Sequence, residues 1–96
     1  MDYKFEKVKV ELTLEEAREI AFTLRRSILE AVDRYWKHHI SEGTTAEGFV
    51  ANIAKNKKIE FQLLEGFSRM VNLELTRDVE YEIKKIYKET IKESEE

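Results

Sequence analysis

The chain has 96 residues, 42% of them hydrophobic and ten aromatic, enough for one small domain and too apolar for a disordered segment. Its 17 basic and 20 acidic residues leave a net charge of −3, which suits neither a general phosphate-neutralising nucleic-acid binder nor a DNA mimic. Cysteine is absent, which rules out a disulfide framework and a thiolate metal site.

No signal-type apolar core follows Met1, and no apolar run approaches membrane-spanning length, so a cytoplasmic protein without a membrane role is expected. Glutamine occurs once and asparagine three times among abundant Glu, Lys and Ile, a composition resembling that of thermophile proteins.

Residues 3–12 alternate, with Val8, Val10 and Leu12 on one side and Lys7, Lys9 and Glu11 on the other, which predicts a strand with one buried face. Tyr3 and Phe5 have the opposite phase, so either a bulge intervenes or the second face is partly covered. The strand needs a partner, and residues 71–75 supply one: Leu73-Glu74-Leu75-Thr76 echoes Val10-Glu11-Leu12-Thr13. The echo reads as the shared grammar of strand-to-helix junctions rather than as a repeat.

Residues 13–40 form the first helix. Leu14, Ala17, Ala21, Leu24, Ile28, Ala31, Val32 and Tyr35 recur at spacings of three and four, and Thr13 with Glu16 has the spacing of a capping box. Gly43 then closes the connection, and Thr44 with Glu47 repeats the capping pattern.

The second helix covers 45–69 and lies antiparallel to the first, as the short loop demands. Val32 then faces Ile53, Tyr35 faces Val50, Leu24 faces Phe61, and Ala21 faces Leu64. Ile28 faces the polar run Lys55-Asn56-Lys57-Lys58, so the second helix kinks or breaks near 56–58. Gly66 either permits a close helix crossing or marks a helix end. Residues 77–92 form a third helix with Val79, Ile83, Ile86 and Tyr87 as its apolar stripe and Glu80–Lys84 and Lys85–Glu89 as surface pairs. Residues 93–96 form a frayed tail.

The chemical inventory is thin. His38 and His39 point about 100° apart on a helix and have no third partner for zinc, so they read as structural groups in the last helical turn. No serine has a partnered histidine and acid in its sequence context, the glycines are scattered, and no catalytic, metal or cofactor residues are assigned. Lys7 and Lys9 on a strand invite comparison with ribbon-helix-helix domains, but the first helix is too long and lacks their turn.

The expected architecture is therefore mainly α with a minor β part: a helical hairpin with the third helix and a small strand element at its open end. Ile20, Phe22, Leu29 and Trp36 lie off the stripe facing the second helix, which predicts self-association as a two-fold, four-helix bundle. The expected function is that of a non-enzymatic regulator binding another protein. The candidate surface comprises Phe22, Arg25, Arg26, Leu29, Tyr35, Trp36, Lys57 and Lys58. Two alternatives are a nucleic-acid-associated regulator using Arg25, Arg26 and Lys55–Lys58, and a nucleotide-like ligand site at a dimer interface contacted by Tyr35, Trp36 and Arg25.

Overall fold

The computed structural model describes residues 2–5 and 8–95, with side chains described for 11–94. It is mainly helical, and the molecule is elongated, about 50 × 23 × 18 Å. At the amino end the backbone of β1 (Asp2–Phe5) runs antiparallel to β2 (Val8–Glu11), with Tyr3 opposite Val10. The partner of residues 8–11 is thus the adjacent segment and not 71–75. Glu6 and Lys7 of the expected strand lie outside the described residues, as does the question of which of its faces is buried.

Helix α1 (Leu14–Arg34) starts at the expected capping box: the Glu16 amide donates to Thr13 Oγ1 at 3.1 Å, and the Thr13 amide donates to Glu16 Oε1 at 3.0 Å. These bonds satisfy two of the amides that a helix start leaves without intrahelical partners, and they hold the Glu16 carboxyl below its ordinary pKa. The helix does not continue to residue 40. It ends at Tyr35 and tightens into a 3₁₀ turn over Trp36–His39, in which residues three apart eclipse. The change of pitch alters which aromatic faces inward. Tyr35, next on the apolar stripe, is 55% exposed, whereas Trp36 packs against the core.

Gly43 takes a φ of 87° in the following turn, closed by the Thr44 amide donating to Ser41 at 3.1 Å. The cap of α2 (Ala46–Asn56) is Thr45, whose hydroxyl accepts from the Gly48 amide at 3.0 Å. The expected Thr44–Glu47 box is not formed, because the cap falls one residue later and puts Gly48, which has no side chain to return the bond, at the third position. The Thr44 carbonyl is used elsewhere and accepts from the Tyr87 hydroxyl.

At Lys57 the chain leaves helical geometry (φ −112°, ψ 35°), and α3 (Lys58–Met70) begins immediately after it. The break falls in the polar run that faced Ile28 in the expected hairpin. Gly66 lies inside α3 and not at its end.

Residues 71–75 are not a strand. The Leu73 amide donates to the Ser68 carbonyl at 2.9 Å, the Asn72 amide donates to Arg69 at 3.2 Å, and Asn72 has a φ of 54°. This is the Schellman ending of α3, with asparagine in the left-handed position usually taken by glycine. Val71, Leu73 and Leu75 alternate because the turn directs all three toward the core, where Val71 and Leu75 are buried and Leu73 packs against them. Helix α4 (Leu75–Glu95) already includes Leu75 and runs through the segment expected to fray as far as Glu95. Glu96 lies outside the described residues.

Thr76 is therefore not the α4 cap. It sits in the first turn, where its hydroxyl donates to Glu65 Oε2 at 2.5 Å and ties α4 to α3. The two threonines of the sequence echo do different work, so the likeness is one of composition alone.

Helix α4 does not sit at the open end of a hairpin. Arg25 bonds Asp78, and Arg34 shares a groove with Ile86, so α4 runs parallel to α1 along its length. Lys84 lies 3.9 Å from Glu47, and Glu80 shares a groove with Ala51 and Ala54, so α2 runs antiparallel to α4.

The break at Lys57 divides the returning leg. Helix α3 packs mainly on α1, whereas α2 packs mainly on α4. The Val32–Ile53 and Tyr35–Val50 levels of the expected hairpin thus give way to a three-legged bundle. Ile28, left without an apolar partner by the hairpin, is 1% exposed, because the α1–α4 offset brings Val79 and Ile83 to its level.

Candidate interaction surfaces

The eight candidate residues do not form one patch. Arg25, Arg26 and Leu29 converge on a groove of about 380 Å³ between α1 and α4, lined also by Glu30, Asp33, Arg34, Glu82 and Ile86. Phe22 lines a neighbouring depression of about 290 Å³ with Glu15, Arg18, Glu19 and Arg26. Arg26 belongs to both, so the outer face of α1 is continuously channelled from Glu15 to Arg34. Leu14 is 50% exposed and Phe22 41% exposed on this helix, and Phe22 is the one of the two that lines the channel.

Arg25 is half-buried and held by the Asp78 carboxylate, which leaves its guanidinium less available to a ligand. Lys57 and Lys58 lie at the α2–α3 break and line neither depression. Lys57 is half-buried with Glu60 at 3.8 Å, and Lys58 is exposed.

Tyr35 and Trp36 occupy the far end of α1. The Tyr35 ring packs edge-on to Trp36 with centroids 5.2 Å apart, and it lies 4.3 Å from the His39 ring. Tyr35 lies ten residues beyond Arg25, about 15 Å along the axis, so within one chain the residues named for a nucleotide-like site at a dimer interface stand apart. Among the described residues no three His, Asp or Glu side chains are grouped as metal ligands.

A surface that reading the chain for local charge runs misses lies on α4. At 100° per residue, Arg77, Lys84, Lys85, Lys88 and Lys92 all fall within about 60° of Tyr81 on the outward side. Tyr81 is 66% exposed and, with Lys84, Lys85, Lys88 and Glu89, lines a depression of about 190 Å³. The expected Glu80–Lys84 and Lys85–Glu89 pairs are not formed: Lys84 leans toward Glu47, and Lys85, Lys88 and Lys92 have no ion-pair partner among the described residues. An exposed pair four residues apart contributes only about 0.3–0.5 kcal/mol, too little to hold two long side chains together. Projection of the charges onto a helix would have revealed the row, since the cations recur at spacings of three, four and seven.

Two polar groups complete the inventory. Glu65 accepts from Thr76 and, at 2.8 Å, from Arg69 Nε, and the Thr76 bond foremost holds its carboxyl below the ordinary value. Ser68 is 2% exposed, its hydroxyl has no hydrogen-bond partner among the described residues, and it lines none of these depressions. No helix among the described residues is long and apolar enough to cross a membrane.

No protein-family model matches this chain, no curated protein matches it, and no solved structure matches its fold.

Proposed function

We propose that this chain is a cytoplasmic, non-enzymatic interaction protein that pairs with a second copy of itself through the outer face of α1 and so forms a helical bundle. The observation carrying this reading is the channel from Glu15 to Arg34, whose exposed apolar member is Phe22 and whose half-buried one is Leu29. Its rim mixes signs: Glu15, Glu19, Glu30, Asp33 and Glu82 stand among Arg18, Arg25, Arg26 and Arg34. A two-fold contact brings the same patch together with itself, and a patch with both signs can match itself where a single-sign patch would repel. The surfaces left free by that pairing would then meet an unlike protein.

The test is light scattering across a hundredfold concentration range on the wild-type chain and on Phe22→Lys. The wild type is expected at twice the chain mass. Loss of an aromatic anchor worth about 2 kcal/mol should weaken association by at least about tenfold while the helical circular dichroism is retained. A wild type that stays at the single-chain mass throughout refutes the pairing.

Nucleic-acid contact through Arg25, Arg26 and Lys55–Lys58 has less support. Arg25 and Lys57 are already opposed by Asp78 and Glu60, and the two clusters line no common groove.

A further inference from the structure

We propose that the outward face of α4 binds the backbone of a single-stranded nucleic acid, with Tyr81 stacking on one of its bases. The proposal concerns a different face from the α1 pairing and does not depend on it.

The argument begins with local charge. The chain as a whole is acidic, with a net charge of −3, yet its cations are not evenly spread. Lys84, Lys85, Lys88 and Lys92 form a row about 12 Å long on α4, continued toward the helix start by Arg77. Of the acidic residues on α4, Glu80, Glu82, Glu89 and Glu93 fall at the flanks or beyond, whereas Asp78, held by Arg25, and Glu95 fall within the same arc of about 60°. Glu74 shares the face but sits 3.8 Å from Arg77, and Glu89 forms one rim of the Tyr81 depression. Lys85, Lys88 and Lys92 are exposed and have no ion-pair partner among the described residues, so their charge faces outward toward an anion.

Tyr81 narrows the choice of anion. A solitary aromatic 66% exposed within a row of ammonium groups offers a flat apolar face beside positive charge. A single strand presents phosphates and unstacked bases together, and base–aromatic stacking is indifferent to sequence. A duplex keeps its base faces within the stack and offers Tyr81 nothing. An anionic membrane surface would be gripped by an apolar helix face, but that side of α4 is spent in the core: Val79 and Ile83 are 0% exposed and Leu75 is 6% exposed. An acidic peptide would meet the lysines and leave the ring unused.

The experiment is fluorescence anisotropy of a labelled oligothymidylate of about 16 nucleotides with the full-length chain. Release of about 0.7 counterion at each of four lysines gives a loss of affinity of about fiftyfold between about 50 and about 200 mM salt. The double reversal Lys85→Glu/Lys88→Glu should lose at least about tenfold and flatten that dependence. Tyr81→Ala should lose at least about fivefold, whereas Tyr81→Phe keeps the ring and the binding. Phe22→Lys should bind as the wild type does, which separates this face from α1.

The proposal is overturned by absence of binding at low salt, or by unchanged binding after the double reversal. Tighter binding to the matching duplex, to phosphatidylserine vesicles or to polyglutamate also overturns it. All four α4 substitutions are at exposed positions, and circular dichroism checks that each variant is folded.

Discussion

Substitution at Asn72 distinguishes the Schellman ending of α3 from the strand that residues 71–75 resemble, because the two structures predict opposite signs. In a strand, Asn72→Val places a β-branched residue where an asparagine is disfavoured and gains up to about 1 kcal/mol. Asn72→Gly in a strand loses about 0.5–1 kcal/mol. In the structure Asn72 has a φ of 54°, a region in which an ordinary L-residue costs about 1–2 kcal/mol and a β-branched one is a rarer occupant still.

Asn72→Val should therefore destabilise by about 1–2 kcal/mol, a drop in Tm of roughly 5–15 °C for a domain of this size. Asn72→Gly should be neutral or stabilising by up to about 1 kcal/mol, since glycine enters the left-handed region freely but loses more entropy on folding. Urea unfolding followed by far-ultraviolet circular dichroism measures both. A Val variant as stable as the wild type, together with a weakened Gly variant, would refute the turn.

Helix α4 should behave as an integral leg of the bundle. Ile83→Ala, at a fully buried position, should cost about 2–5 kcal/mol, whereas Tyr81→Ala two residues away should stay within about 0.5 kcal/mol; comparable losses would contradict the packing. Ser68→Ala removes a buried hydroxyl that has no partner among the described residues and introduces a better helix former, so thermal unfolding should show a stabilisation of about 1–2 kcal/mol.

Glu65 titrates with the opposite sense to a histidine switch. Its folded pKa is depressed, so its contribution is present above the unfolded value of about 4.3 and is lost as pH falls through the folded one. Glu65→Gln should therefore flatten the loss of stability on acidification below about pH 4.3, and an unchanged acid limb of the stability profile would exclude that role.

What the chain determines by itself is the set of features closed by neighbours in sequence. The capping box of Thr13 and Glu16 is formed as its spacing dictates, because both hydrogen bonds lie within one turn. The buried stripe of α1 through Ala17, Ala21, Ile28 and Val32 follows from helical period alone. The polar run at Lys55–Lys58 signals an interruption because an apolar stripe cannot pass through it, and the helix breaks at Lys57.

Alternation at Val71, Leu73 and Leu75 was ambiguous by nature, since a strand and a helix-ending turn both send alternate residues to one side. The sign of φ at Asn72 separates them, and it is set by the two amides that return to Ser68 and Arg69.

Tertiary structure alone decided the partners. Which helix covers Ile28, whether Thr76 caps α4 or reaches Glu65, and which of Tyr35 and Trp36 turns inward all depend on a surface supplied from elsewhere in the chain. The surfaces were decided in the same way. Phe22 and the Tyr81–lysine row matter as surfaces because they remain uncovered, and exposure follows from how the other legs pack rather than from local pattern. Periodicity specifies which face of a helix is apolar, but the element that buries it is selected by the packing of the whole bundle.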